Sequence, residues 1–240
     1  MVSNNSVSQI NENYFHATLD GEGKDQAWSE MYFSHHILPH LPVGLDAKIL
    51  DLGCGHGTYV QALRNFGYAD TTGVDISEDQ IRYAREELGI KGLVVEDSID
   101  FFYKTNEKYD VILALDILEH LEVDYTIDLL KLMRKSLSEK GKIIIQVPNA
   151  ISPLSVCRYG DITHKRAYTV GSMKQVLNYA GFSLCQNFPL YPFPHGFKSR
   201  VRLVLWKLFL YPMIKTYLLI ANGESAGDIY TSNFLTVVTK

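Results

Sequence analysis

One short run constrains this chain more than any other. In ILDLGCGHGTYV, Gly53, Gly55 and Gly57 separate an apolar, strand-like segment from a helix-like one. A strand that feeds a glycine-rich turn and then a helix is the repeating unit of parallel α/β sheets. Glycine permits the tight, positive-φ backbone such a turn needs, and it lets main chain approach a ligand where a Cβ would intrude. The spacing is G-x-G-x-G, whereas dinucleotide sites carry G-x-G-x-x-G, so a dinucleotide oxidoreductase is disfavoured.

The rest of the chain extends this unit. KILDLGC, TTGVDI, GLVVE, YDVILAL and GKIIIQV read as strands, and as near-continuous apolar runs they suit parallel strands covered on both faces. Helices are predicted over Thr58–Phe66, over Ser77–Leu88 with Ser77 and Gln80 as a capping box, and over Tyr125–Leu137. After Pro148 the rhythm changes. Residues 149–170 form a long connection, Val170–Ala180 a helix closed by Gly181, and Phe182–Phe188 and Ile229–Val238 two more strands. The expected fold is α/β, a doubly wound, mostly parallel seven-stranded sheet. An N-terminal cap helix within residues 25–40 precedes it, and a helical insertion over 189–227 precedes the last strand. The chain is read as one domain: residues 1–44 as tail and cap, with a disordered lead over 1–12, residues 45–148 as the cofactor-binding half, and residues 149–240 as the substrate half.

Three carboxylates follow successive strand ends, where open α/β sheets bind ligands. Asp51 at the end of the first strand repels a pyrophosphate but attracts an ammonium group. Asp75 ends the second strand and suits a pair of ribose hydroxyls. Asp97 and Ser98 follow the third, within reach of an exocyclic adenine amine. Taken singly, these glycines could serve only a tight turn and these aspartates only helix caps. Together and in register they read as a nucleoside site with an amino acid attached.

Composition narrows the partners. The formal net charge of −4 over 240 residues argues against general nucleic-acid affinity, which needs a basic face. Cys54, Cys157 and Cys185 are odd in number and form no CxxC pair, which excludes a disulfide framework or zinc ribbon and fits a reducing compartment. The first nine residues are polar, without a basic or apolar run, so a cytoplasmic location is expected.

ILDLGCGHG, GVDIS, VVEDSIDFF and YDVILALDILEHL together resemble, motif by motif, the class I S-adenosylmethionine-dependent methyltransferases, whose sheet is Rossmann-like. The resemblance implies that S-adenosylmethionine lies on Asp51, Gly53, Cys54, Gly55, Gly57, Asp75, Ile76, Asp97, Ser98 and Leu115. IIIQVPNAISPLSVCRYGDITHKRAYT and the later insertion are similar to methyltransferase-domain proteins of bacterial surface-polysaccharide biosynthesis, which implies O-methylation of a sugar hydroxyl of a glycan or its precursor. A quinone or other small-molecule O-methyltransferase is the alternative. A subunit that binds cofactor without chemistry is the non-enzyme reading, and the intact Asp51 and Asp75 speak against it.

Methyl transfer from a sulfonium to oxygen is an in-line displacement in which a base can take the hydroxyl proton. His164 and His120, with Asp116, are the expected catalytic residues, since histidine titrates near neutrality. Glu119 and His120 also admit a purely structural turn. Asp161, Lys165 and Arg166 share the loop of His164. D-x-x-E-H with a later histidine is similar to the metal site of small-RNA 2′-O-methyltransferases and to the E-x-x-E-H of ubiquinone-pathway enzymes. That likeness raises a divalent metal on Asp116, Glu119, His120 and His164. It is imperfect: Asp stands at the first position, and a second loop histidine is missing. Tyr159, Tyr168, Tyr191, Phe193 and Phe197 could form a stacking wall for a sugar, or pack as core.

Between Gly196 and Gly223 lie Lys198, Arg200, Arg202, Lys207 and Lys215 and no acidic residue. The apolar stretch Val201–Ala221 is read as an amphipathic helix broken at Pro212 rather than a membrane span, because of its internal charges and proline. It could be a lid that touches an anionic membrane through residues 198–220. Packing on the sheet edge or against a second copy is the plainer reading.

Overall fold

The computed structural model describes residues 26–240; the lead expected over residues 1–12 lies outside them. The cap helix is α1 (Gln26–His36). There follow β1 (Ile49–Leu52), α2 (Thr58–Asn65), β2 (Thr71–Asp75), α3 (Glu78–Glu86), β3 (Leu93–Val95), α4 (Ser98–Lys104) and β4 (Tyr109–Leu115). Beyond these come α5 (Val123–Ser136), β5 (Leu137–Pro148), α6 (Val156–Tyr159), α7 (Val170–Tyr179), β6 (Cys185–Pro189), α8 (Phe197–Leu205), α9 (Tyr211–Asn222) and β7 (Asn233–Thr239). The seven strands take the order β3-β2-β1-β4-β5-β7-β6. β2 pairs in parallel with both β1 and β3, and β7 runs antiparallel between β5 and β6. This is the mostly parallel, Rossmann-like sheet expected from the sequence.

Two compact units divide the chain, one ending at Leu113 and the other running from Ala114 to Lys240. In the first, all four residues of β1 are buried, three apolar side chains and the carboxyl of Asp51. Val60 of α2, Ile81 and Ala84 of α3, and Ile90 and Leu93 close around Cys54 of the glycine turn. α1 joins this unit by placing Phe33 against Tyr59 and Phe66, with ring centroids 5.4 and 6.1 Å apart.

Gly73, in the middle of β2, shows how tightly the turn is packed. A Cβ there would sit 2.7 Å from Leu93 Cδ2, 2.8 Å from Cys54 Sγ and 2.9 Å from Val60 Cγ2. Three groups would have to move at once, and overpacking of this kind costs roughly 1–3 kcal/mol. Gly73→Ala is therefore expected to lower the unfolding free energy by that amount, read as a lower denaturant midpoint at an unchanged m-value. An unchanged midpoint would show that the β2 surface yields more easily than its packing implies.

In the second unit, the Asn149 side-chain amide donates to the carbonyls of Ile229 and Thr231 at 2.8 and 3.0 Å, tying the connection after β5 to the segment before β7. α7 opens with a reciprocal capping box between Thr169 and Ser172. The box expected at Ser77 is only half made. Ser77 Oγ accepts from the Gln80 amide at 3.4 Å, but the Gln80 side chain turns to His56. α4 was not foreseen: seven residues, capped by Asp97 and burying only Phe102, are too few to display a helical period.

The largest departure is the insertion. No break occurs at Pro212, and Phe197–Asn222 is one continuous helix of 26 residues, long and apolar enough by length and composition to cross a membrane. A proline has no N–H to give, and its ring presses on the carbonyl four residues back. Immediately before it, Trp206–Leu210 forms a π turn in which the Tyr211 N–H donates to the Trp206 carbonyl. The wider coil makes room for the ring, so α8 and α9 run on as one helix.

Candidate functional site

The cradle expected to hold the cofactor lies in the first unit and is built by β1, β2 and the turn between β1 and α2. The N–H groups of Gly53 and Cys54 both donate to the Val74 carbonyl, at 2.8 and 3.1 Å. Gly53, Gly55 and Gly57 all have positive φ, which a side chain at these positions would resist. Asp75 clamps the turn from the next strand, accepting from the Gly55 N–H through Oδ2 and from the Ser77 N–H through Oδ1, each at 2.8 Å.

Asp51 is the anomaly in this cradle. It is 2 % exposed, and its Oδ2 has no hydrogen-bond partner. Burial, reinforced by the charge of Asp75, pushes its carboxyl up to about 8. A buried carboxyl with an idle oxygen is unusual unless a ligand completes it. A ligand ammonium group would do so, and S-adenosylmethionine carries one. Ile76, directly after the Asp75 carboxylate, leaves 59 % of its surface exposed, an apolar face suited to a flat base. Asp97 Oδ1 accepts from the N–H groups of Ile99 and Asp100 at 2.9 and 3.2 Å, so Asp97 is the cap of α4 and Ser98 its first residue. Burial raises the Cys54 thiol well above its usual range, which makes it a packing group here. Leu115 ends β4, is buried, and belongs to the second unit.

The second unit gathers a different set. Glu119, His120 and His164 bring one ligand atom each to within 4.8 Å of one another. The two imidazoles meet edge to face, with centroids 4.7 Å apart. His164 Nδ1 lies 2.7 Å from the Cys157 carbonyl, which can only accept; Nδ1 therefore carries a proton, and Nε2 faces Glu119 Oε1 at 4.0 Å. His120 Nδ1 lies 2.8 Å from Thr163 Oγ1, whose single proton goes to Asp161 Oδ1 at 2.6 Å. Thr163 Oγ1 therefore accepts from His120 Nδ1. Burial, more than the neighbouring His164, lowers the His120 pKa and keeps the ring neutral.

Glu119 completes the cluster. It is 0 % exposed, and neither carboxylate oxygen has a hydrogen-bond partner. Burial first, and then the charge of Asp116, pushes its carboxyl up to about 9. Its backbone carbonyl accepts from the N–H groups of Lys165 and Arg166, which holds the His164 loop in place. Two imidazoles, each with Nδ1 tied to the 157–163 segment, and one carboxyl with two idle oxygens form a donor set suited to a divalent cation.

Not every expected residue joins this set. Asp116, in the left-handed region with φ 55°, accepts from Gln146 Nε2 at 2.6 Å and, more distantly, from Asn233 Nδ2 at 3.5 Å. The four-residue metal set is thus three residues in the structure. Lys165 and Arg166 face Glu122 at 3.0 and 3.6 Å. The five aromatics form no single wall: Tyr168 and Phe193 are buried as core, whereas Tyr159 and Phe197 are exposed. Thr163 and the Cys157 carbonyl set the two tautomers, and neither carries a signal in sequence.

The matched stretch of a ubiquinone biosynthesis O-methyltransferase from Methylobacterium nodulans is 32% identical over 87 residues, 35% of this chain and 34% of the relative. One from Glaesserella parasuis is 29% identical over 110 residues, 42% and 45% of the two chains. The chain thus spans less than half the length of these curated relatives. A solved S-adenosylmethionine-dependent methyltransferase from Archaeoglobus fulgidus superposes over 95% of this chain and 99% of its own with a TM-score of 0.69 at 21% identity, a likeness of fold. Residues 32–187 match the family described as methyltransferase domain, a span that holds both the Asp51 cradle and the Glu119 cluster. The chain belongs to that family, and it is a class I S-adenosylmethionine-dependent methyltransferase.

Proposed function

We propose that this enzyme moves the methyl group of S-adenosylmethionine to a hydroxyl of a small acceptor with two adjacent hydroxyls, of the catechol or quinol-precursor type. Glu119, His120 and His164 would hold a divalent cation beside that acceptor. The observation that carries the reading is the approach of one ring nitrogen each from His120 and His164 to within 4.8 Å of a fully buried carboxyl whose oxygens have no partner. When bound, the cation supplies Lewis acidity that lowers the pKa of an acceptor hydroxyl. The chain's own part is orientation: the Cys157 carbonyl aims His164, and the Thr163–Asp161 pair aims His120. Relatives named ubiquinone biosynthesis O-methyltransferases support an acceptor of this kind.

A second reading rests on the same two imidazoles. A neutral His120 or His164 can take the proton of a sugar hydroxyl directly, which would fit O-methylation of a surface glycan or its precursor. The test is transfer of labelled methyl to a catechol acid and to a panel of nucleotide sugars, each with and without chelator. Methylation of the catechol that stops in chelator and returns with Mg²⁺ or Mn²⁺ is expected. Sugar methylation indifferent to chelator would replace the first reading by the second, and an acceptor nitrogen would overturn both.

A further inference from the structure

The helix Phe197–Asn222 is the least explained element of the molecule. It lies wholly in the second unit, yet only 6% of its most apolar 18-residue stretch is buried. We infer that it lies flat in the surface of an anionic lipid bilayer, with its outer apolar face among the acyl chains and its cations among the headgroups.

Its inner face is fastened to the protein along its length. Ser199, Leu203, Trp206, Tyr211, Ile214 and Leu218, with Lys215, are its buried or half-buried positions. The step from Trp206 to Tyr211 is longer than an α-helix allows on one face, and it falls on the π turn. The π turn therefore does more than accommodate Pro212: it keeps both halves of the helix in phase on the same face. On that face the Tyr211 ring lies 5.2 Å from Tyr230, Lys215 pairs with Asp228 at 2.9 Å, and Lys207 covers the Tyr191 ring at 5.4 Å.

The outer face has no such partners. Phe197, Val204, Leu208, Phe209, Met213 and Ile220 are all exposed. A row of this kind marks an interaction surface. Charge selects the occupant. Lys198, Arg200 and Arg202 are exposed and have no acidic partner among the described residues, and residues 197–222 contain no acidic residue. A second copy laid on this face would bring like charges together, whereas phosphate headgroups complement them. Topology selects the orientation. The helix is about 39 Å long, and a crossing helix would leave its ends on opposite sides of a bilayer. Here the chain leaves from β6 and returns to β7, which hydrogen-bond to each other as neighbours. A helix held to its own body along one face and apolar along the other lies in the interface plane.

The test uses the whole chain and needs no acceptor, so it stands apart from the reading of the active site. The protein is floated with phosphatidylcholine vesicles and with vesicles that also contain phosphatidylglycerol. Each cation near an anionic surface is worth about fivefold in partition, so three favour the anionic vesicles by on the order of a hundredfold. Arg200→Glu with Arg202→Glu is expected to erase most of that preference. Leu208→Glu with Phe209→Glu is expected to abolish binding to either vesicle while leaving the thermal midpoint unchanged, since both residues are exposed. Failure to float with anionic vesicles would overturn the inference, as would binding indifferent to lipid charge. A dimer that dissociates on Leu208→Glu would assign the face to a second copy instead.

Discussion

Asp51→Asn should bind cofactor on the order of a hundredfold more weakly than the native enzyme at pH 8 and yet be the more stable protein without cofactor. Both effects follow from one buried carboxyl. Its pKa of about 8 in the folded chain stands far above the ordinary aspartate value of 3.8, with burial as the main cause and Asp75 as the second. A group whose pKa is raised on folding contributes stability in full below its unfolded pKa and loses it as pH rises through the folded value. Stability of the free protein should therefore fall between about pH 4 and pH 8 on account of this residue. An asparagine is neutral throughout and escapes that loss, which is worth about 1–4 kcal/mol by analogy with other buried charges replaced by neutral groups. Binding has the opposite sign. At pH 7 about nine-tenths of the Asp51 carboxyls hold a proton that an incoming ammonium must displace. Cofactor affinity should then rise with pH up to about 8, by no more than tenfold per unit, the limit for one proton. In the asparagine variant this slope disappears. Calorimetry with S-adenosylhomocysteine from pH 6 to pH 8, together with thermal melts of the free protein, measures both effects. An affinity flat with pH in the native enzyme would show that Asp51 does not meet the cofactor's amino group.

Much of this cradle is legible in the sequence because it is local. Gly53, Gly55, Gly57 and Asp51 fall within seven residues, and the strand before them is buried at every position. Asp75 and Asp97 follow strands whose apolar runs mark their own ends. What sequence could not show is that Asp75 spends its oxygens partly on the Gly55 and Ser77 amides, or that Asp97 caps a helix too short to display a period. The acceptor side depends on distant pairings. His164 meets Glu119 only because the Lys165 and Arg166 amides fasten to the Glu119 carbonyl across more than forty residues of chain. Asp116 looked equivalent to Glu119 by spacing, but a left-handed backbone turns it to Gln146 and Asn233. The unbroken helix at residue 212 depended on a π turn, which no propensity foretells.

Glu119→Gln carries the largest consequence for the chemistry. Glutamine keeps the size of the side chain and its neutral state, so the buried site, 0 % exposed in the native chain, should fold as before. What it loses is the capacity to become an anion between the two imidazoles. If the cluster holds a divalent cation, removing its one carboxylate should weaken Mn²⁺ binding by at least a hundredfold and lower kcat by a similar factor, because two neutral histidines are a poor site for a hard cation. A readout independent of turnover separates this from a packing effect. Ligands that bind only the folded state raise its stability by an amount set by concentration over Kd, about 2.7 kcal/mol at a hundredfold excess. Millimolar Mn²⁺ should therefore raise the Tm of the native enzyme and leave that of Glu119→Gln unchanged. His164→Ala should behave likewise, since His164 Nε2 faces the same carboxyl at 4.0 Å. Full methyl transfer by Glu119→Gln in excess chelator would remove the cation from the reaction. It would leave His120, held neutral by burial and oriented through Thr163, as the base that takes the acceptor's proton.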